Sequence, residues 1–286
     1  IGVITNISYA HIKNFKNINQ IALAKGEIIK NIKEEGHLVL NKDDKFYNLH
    51  KKIGIKRNLK ILSFSLLNKN STVNLESISK KKSKYKIYIN INKIKKYFYF
   101  KSLFENDLKN LLATITIISV YKDIHKLNKN IFYDHKATNG RGDIIKIKLF
   151  KKSFYLVDES YNSNPLSLKS ALKNFDMITV NSSKKHLVLG DMLELGRYSK
   201  KLHTEIGKSI NKTSLKNVNV IGNHVKWVFN SLNKSKRGIV IKNKSQIIDL
   251  IKNNLNNNDY LMIKGSNSTG LNSLTNQIKT GKINAL

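Results

Sequence analysis

Apolar positions follow two periods along this chain. Ile1–Ile7 is a β-branched run suited to a buried strand. Asn19–Lys33 carries Ile21, Leu23, Ala24, Ile28, Ile29 and Ile32 at near-helical spacing, and Gly36 ends that helix before a second strand over His37–Leu40. Leu59–Leu67 and Lys84–Phe100 read as extended, the latter from the alternation of Tyr85, Ile87, Ile89 and Ile91. The lysine cluster Lys80–Lys86 between them reads as a solvated hairpin turn rather than a localisation patch. Leu108, Leu111, Leu112, Ala113, Ile115 and Ile118 predict a largely buried helix. The chain turns polar from Lys122 to Thr138, and Asn139–Asp143 reads as a turn and domain junction. Beyond it, strands at Phe154–Val157, His186–Leu189, Val218–Ile221, Gly238–Ile241 and Tyr260–Ile263 alternate with helices at Leu166–Phe175, Ser199–Ile210, His224–Leu232, Ser245–Leu255 and Leu271–Ile278. Such alternation predicts an α/β fold with a parallel sheet covered on both faces.

A length of 286 residues suits about two domains, and the junction divides them into 1–138 and 139–286. Cysteine is absent, which excludes disulfide scaffolds, zinc–thiolate sites and thiol catalysis. The longest apolar run, Leu111–Tyr121, is far shorter than the ~18–20 residues of a membrane span. The chain opens on Ile1 with neither an initiator methionine nor a signal-peptide layout, as if cut from a longer protein. Its net charge of +33 would by itself suggest a polyanion partner. Yet only four of the 52 basic residues are arginine (Arg57, Arg141, Arg197 and Arg237), and Lys is accompanied by excess Ile and Asn. Nucleic-acid surfaces use Arg for bidentate contacts, whereas Lys, Ile and Asn are the residues whose codons need only A and T. Most of the charge is therefore read as genome composition.

No P-loop, no Gly-x-Gly-x-x-Gly and no Gly-x-Ser-x-Gly elbow occurs. Four segments remain unusual. Thr5–His11 precedes a helix bearing Lys25. Asp158 and Glu159 end a strand before Tyr161, Asn162, Asn164 and Pro165. Gly190–Gly196 places Asp191 and Glu194 just after another strand, and Lys264-Gly-Ser266 follows a third. Strand C-termini of open α/β sheets are where ligands bind. Taken singly, His11, Lys25 and Lys264 read more readily as ordinary loop and surface residues than as site residues.

The order of these segments resembles the MurF-type Mur ligases. Asn6-Ile-Ser-Tyr-Ala-His11 with Ala24-Lys25-Gly-Glu-Ile28 is similar to the central-domain motif, and Asn41-Lys-Asp43-Asp44 to the turn that follows it. Asn110-Leu-Leu-Ala113 is similar to the end of the adenine-side motif. Asp158-Glu-Ser-Tyr-Asn-Ser-Asn-Pro165, Leu189-Gly-Asp-Met-Leu-Glu-Leu-Gly196 with His203, and Lys264-Gly-Ser266 resemble the third-domain hallmarks. The resemblance implies a partial Mur ligase central domain, a mixed or parallel sheet with helices, followed by a Rossmann-like C-terminal domain. It implies an ATP- and Mg²⁺-dependent ligase of peptidoglycan precursor synthesis that adds D-Ala-D-Ala to UDP-N-acetylmuramoyl-tripeptide through an acyl phosphate. By the same resemblance, His11 is a Mg²⁺ ligand and Lys25 the lysine carbamylated in the family, also at the metal. Asn110 meets adenine, Arg141 the phosphates, and Asp158 or Glu159 the ribose. Tyr161, Asn162 and Asn164 line the cleft, and Lys264 and Ser266 take the dipeptide. The expected protein is a cytoplasmic monomer with no nucleic-acid partner and no membrane insertion.

Two departures accompany this resemblance. Asn106 stands where the family's nucleotide motif has a histidine, and no glycine occurs between Gly54 and Gly140. The UDP-sugar domain, the P-loop and a metal-binding glutamate of the family are expected ahead of Ile1, so this polypeptide alone is expected not to turn over ATP. The alternatives are another Mur- or folylpolyglutamate-type ligase, or a basic nucleic-acid-binding α/β protein, which predicts a clustered basic face.

Overall fold

A computed structural model describes residues 1–81, 84–134 and 139–282. The tip of the expected lysine-rich turn, and the end of the polar stretch before Asn139, lie outside the described residues. The chain forms two compact units, one of Ile1–Ile7 with Asn17–Lys136, the other of Ser8–Lys16 with Ala137–Leu286.

The first unit runs β1 (Gly2–Ile4), α1 (Ile18–Gly26), β2 (His37–Asn41), α2 (Tyr47–Lys56), β3 (Lys60–Ser65), β4 (Val73–Lys81), β5 (Lys84–Ile91), β6 (Ile94–Phe100) and α3 (Glu105–Ile118). Its sheet keeps chain order, β1-β2-β3-β4-β5-β6. The first four strands are parallel, and β4–β5–β6 form an antiparallel meander. Only residues 66–72 join β3 to β4, too few for the usual crossover. The two strands pair at just two positions, Phe64 with Val73 and Ser65 with Asn74. α3 packs Leu108, Leu111, Leu112 and Ile115 with Phe64, Val73, Ile87, Ile89 and Phe98 to form the core.

Three differences from expectation have local causes. The stretch over Lys84–Phe100 is two strands, because Asn92 and Lys93 take positive φ (49° and 73°) and turn the chain, a geometry Asn tolerates. α2 was not foreseen because it has no apolar stripe, burying only His50 and Gly54. The expected helix over Asn19–Lys33 begins at the Asn17 cap, which accepts from the Gln20 amide, and tightens into a 3₁₀ turn over Glu27–Asn31.

The second unit runs β7 (Asp143–Leu149), β8 (Lys152–Glu159), α4 (Pro165–Asp176), β9 (Lys185–Gly190), α5 (Ser199–Asn211), β10 (Val218–Ile221), α6 (Lys226–Ser231), β11 (Arg237–Ile241), α7 (Ser245–Asn254), β12 (Tyr260–Lys264) and α8 (Leu271–Thr280). The sheet order is β11-β10-β9-β12-β8-β7, parallel except for β7. Every residue of β9 is buried, as a strand covered on both faces requires. α7 and α8 pack Ile247, Leu250, Ile251, Leu271, Leu274 and Ile278 against Phe154, Leu156, Leu261 and Ile263. The last strand, β12, is inserted between β8 and β9. There Gly190 and Gly265 lie so close that a Cβ on Gly265 would come within 3.2 Å of the Gly190 Cα and 2.8 Å of Leu271.

Candidate active site

In the second unit the polar motifs converge at the carboxyl ends of β8, β9 and β12. Successive strand residues face opposite sides of a sheet, and the two acids ending β8 are neutralised separately. Glu159 meets Lys264 of neighbouring β12, with Nζ 3.2 Å from Oε2. The same ammonium donates to the Asn162 carbonyl at 2.9 Å. Lys264 is 2% exposed; burial pushes its pKa down, and Glu159 pulls it back up. Asp158, 1% exposed, accepts from the Ser160 amide (3.0 Å) and hydroxyl (2.6 Å) and forms an ion pair with Lys279 of α8.

The turn before β7 closes on this strand end. The Gly142 amide donates to the Asp158 carbonyl at 2.8 Å and the Tyr161 amide to the Gly140 carbonyl at 3.2 Å. Gly140, at φ 77°, leaves no room for a Cβ against Tyr161. The exposed Arg141 guanidinium lies over the Tyr161 ring, 4.7 Å from its centre. Asn164 caps α4 by accepting from the Ser167 amide, and the Ser167 hydroxyl completes the capping box. Ser266 accepts from the Leu193 amide (2.8 Å) and donates to the Ser163 carbonyl (3.2 Å). Asn164, Lys264 and Ser266 thus hold loops together, while Arg141, Tyr161 and Asn162 stand exposed.

The Gly190–Gly196 stretch is a junction. The Asp191 carboxylate accepts from the Asn223 and Val225 amides at 3.1 and 2.7 Å. Gly222, at φ 130°, is the residue that admits it, since a Cβ there would meet the carboxyl group at 2.6 Å. His203 is fully buried. Its Nδ1 donates to the Ser199 carbonyl (2.8 Å) and its Nε2 accepts from the Met192 amide (3.1 Å), so the ring is a neutral brace whose pKa burial lowers. His11, in left-handed backbone (φ 58°), pairs through Nδ1 with the Glu194 carboxylate, and the Lys13 amide donates to the Glu194 carbonyl at 2.9 Å. Arg197 and the Tyr198 hydroxyl both donate to the Lys16 carbonyl. The strand-like opening at Ile1–Ile7 therefore shortens to β1, and residues 8–16 belong with the second unit.

In the first unit the Asn41–Asp44 turn sits at the ends of β1, β2 and β3. Asp44 accepts from the Ile7 and Phe46 amides, both at 2.8 Å. Asp43 accepts from the Leu66 amide (2.7 Å) and the Ser65 hydroxyl. Asn41 donates to the Thr5 carbonyl at 3.0 Å. Lys25, an exposed residue whose ammonium donates to the Asn6 carbonyl at 3.1 Å, has its pKa lowered by partial loss of water, with Asp44 acting the other way. Asn110 is exposed on α3. Sequence reasoning missed Lys279, which no motif marks, and Asp143, hidden in the alternating Asp143–Leu149 strand that it did not find.

The chain belongs to the Mur ligases: residues 1–118 match the Mur ligase middle domain and residues 140–267 the Mur ligase glutamate ligase domain. Its curated relatives point to the MurF type. The chain is 30% identical over 97% of its length to the UDP-N-acetylmuramoyl-tripeptide–D-alanyl-D-alanine ligase of Buchnera aphidicola subsp. Baizongia pistaciae, and 28% identical over 95% to that of Rickettsia prowazekii. It spans 58% and 59% of those two proteins. The fold is shared with solved MurF structures. One from Acinetobacter baumannii gives a TM-score of 0.79 at 20% identity, covering 96% of this chain and 58% of that one. Another, from Thermotoga maritima in complex with ADP, gives 0.79 at 19%, covering 98% and 61%. Among the described residues, no helix is long and apolar enough to cross a membrane.

Proposed function

We propose that this chain carries the ATP-handling middle and C-terminal portions of a cytoplasmic, monomeric ligase that joins D-alanyl-D-alanine to UDP-N-acetylmuramoyl-tripeptide in peptidoglycan precursor synthesis. The supporting observation is the convergence of Arg141, Glu159, Tyr161, Asn162 and Lys264 at the ends of β8 and β12. It occurs in a chain similar to ligases of this name along nearly its whole length.

The reaction has two steps. The tripeptide carboxylate attacks the γ-phosphorus of ATP, and ADP leaves. The dipeptide amine then attacks the resulting acyl phosphate, forming the C–N bond as phosphate departs with the C–O bond broken. Both steps carry crowded anionic oxygens, so exposed cations near the strand ends are useful. Arg141, braced on Tyr161, suits the phosphates. Glu159 suits the ribose better than Asp158, whose two oxygens are buried and engaged. Tyr161 and Asn162 face the substrate, and Asn110 the adenine. Lys264, Ser266 and Asn164 hold the loops that present these groups to the dipeptide.

Mg²⁺ would neutralise the phosphate oxygens in this class of reaction. Its assigned ligands do not fit as they stand. His11 Nδ1 is turned to Glu194, and Lys25 as an ammonium repels a cation. No group of three or more His, Asp or Glu able to hold a metal occurs among the described residues. No step is routed through the metal. The lowered pKa of Lys25 does raise its neutral amine fraction, the form that adds CO₂ to give a carbamate with hard oxygens.

The test is phosphate release from ATP by the protein that carries this chain. Release that requires both tripeptide and D-Ala-D-Ala, with the amide product seen by mass spectrometry, is expected. Release supported equally by a single amino acid in place of the dipeptide overturns the substrate assignment.

One observation favours the nucleic-acid reading instead. Lysines and tyrosines interleave on β5 and β6, with Lys84 lying 3.8 Å from the Tyr99 ring centre, and Lys86 and Lys129 4.8 and 4.6 Å from that of Tyr97. These lysines rest on the chain's own rings. Oligonucleotide affinity that fell steeply with salt would favour that reading.

A further inference from the structure

Asp143 opens β7 and stands directly across the antiparallel pair from Asp158 of β8. Cross-strand partners present their side chains on the same face, so two carboxylates face one another beneath the 159–164 turn. Like charges so placed repel, and Asp158 is almost wholly buried. One cation answers both. Lys279, in the last turn of α8, is ion-paired with Asp158 and acts favourably on Asp143. Its side chain is 15% exposed, so the pairing lies largely out of water. The other oxygen of Asp158 accepts from the amide and hydroxyl of Ser160. Lys279, Asp158 and Ser160 thus form one chain of contacts leading into the turn that carries Glu159, Tyr161 and Asn162. The remaining charges near Asp158 are on β12 and on the turn before β7. There Lys264 is paired with Glu159, and Arg141 acts on Lys264.

We propose that Lys279 is a positioning residue: by neutralising Asp158 and Asp143 together, it fixes the 159–164 turn and so the placement of Glu159 and Arg141 toward nucleotide. The link to nucleotide rests on the ligase reading above; the link from Lys279 to the turn does not. Without the lysine, two ionised carboxylates confront each other at high pH, and Asp158 is free to swing away from Ser160. At lower pH Asp143 takes a proton and the pair relaxes. Burial already raises the pKa of Asp143, with Asp158 adding to the rise and Lys279 opposing it. Loss of the lysine therefore moves this titration upward.

The experiment compares the wild-type chain with Lys279→Met, Lys279→Arg and the double variant Lys279→Met/Asp143→Asn. It reads the backbone amide resonances of residues 159–164 and the ATP affinity by calorimetry, from about pH 6 to about pH 8. In Lys279→Met the Ser160 amide is expected to titrate within that range, with ATP bound about tenfold more weakly at the upper end than at the lower. Lys279→Arg and the wild type are expected to stay flat, and Asp143→Asn in the Met background is expected to abolish the titration. Should Lys279→Met fail to fold, Lys279→Gln in the Asp143→Asn background is compared with Asp143→Asn alone. A shifted Ser160 amide there supports the proposal, and an unshifted one overturns it. Turn amides at wild-type positions and flat with pH in Lys279→Met overturn the proposal. So does a titrating turn with unaltered ATP affinity. If the wild-type chain by itself binds no ATP, the amide titration alone decides whether Lys279 sets the turn.

Discussion

Two acidic turns end parallel strands in this molecule, and they use their carboxylates in opposite ways. At Asn41–Asp44 the acids are ties. Asp43 and Asp44 accept from the backbone amides of Leu66, Ile7 and Phe46 and so hold three strand ends together. At Asp158–Pro165 each acid has its own lysine, Lys279 beneath and Lys264 beside. Neutral backbone amides fix a carboxylate but leave its negative charge in place. A buried lysine fixes it and also cancels that charge, so that an anionic ligand would not be repelled. The second arrangement suits chemistry on phosphates, and the first suits architecture.

The contrast can be broken by mutation, beginning with the largest expected loss. Lys264→Ala strips a buried cation from Glu159 and from the Asn162 carbonyl, and should cost about 3–5 kcal/mol in urea unfolding. Asp43→Ala and Asp44→Ala remove chiefly hydrogen bonds to a charged acceptor, about 2 kcal/mol each. An Asp43→Ala loss as large as that of Lys264→Ala would erase the distinction. The second unit should also be the more acid-sensitive. His203 and His186 have pKa values lowered by burial, so the unfolded chain binds protons the folded one refuses. Stability should be full above the unfolded value of about 6.5 and fall as pH drops below it, by about 1.4 kcal/mol per unit of depression. Chemical denaturation at neutral and mildly acidic pH reads this slope, and His203→Gln should flatten it. Asn164→Ala, which removes the α4 cap, should lower stability by about 1 kcal/mol. At the small end, Lys101→Gln breaks an exposed pair with Asp134 and should shift the unfolding midpoint by the equivalent of less than about 0.5 kcal/mol.

The second unit was legible because its strands are β-branched runs and its helices carry apolar stripes; Val218–Ile221 falls where the pattern put it. Elements without such stripes escaped. β7 alternates Asp143, Ile144, Ile145, Lys146, Ile147 and Lys148 with only Ile147 buried, as an edge strand can, and β4 is broken by Glu76 and its lysines. The motif residues were legible as a set, but their division of labour was not. That Asn164 caps a helix, that Ser266 bridges two loops and that Glu194 receives His11 are facts of tertiary approach. So is Lys279, more than a hundred residues from Asp158, which only the packing of α8 brings there.

The two-residue seam between β3 and β4 has a kinetic consequence. On its far side, β4, β5 and β6 pair antiparallel with immediate neighbours in sequence. Hairpins of that kind close in microseconds, whereas the parallel pairings of β1, β2 and β3 must first bridge whole helices. With so little ladder crossing the seam, the meander has little to wait for. Pulsed hydrogen exchange during refolding should protect Ile87, Ile89 and Phe98 before Leu38, Val39 and Leu40, so that the sheet zips from its antiparallel end and the acidic turn of Asp43 and Asp44 is knotted last.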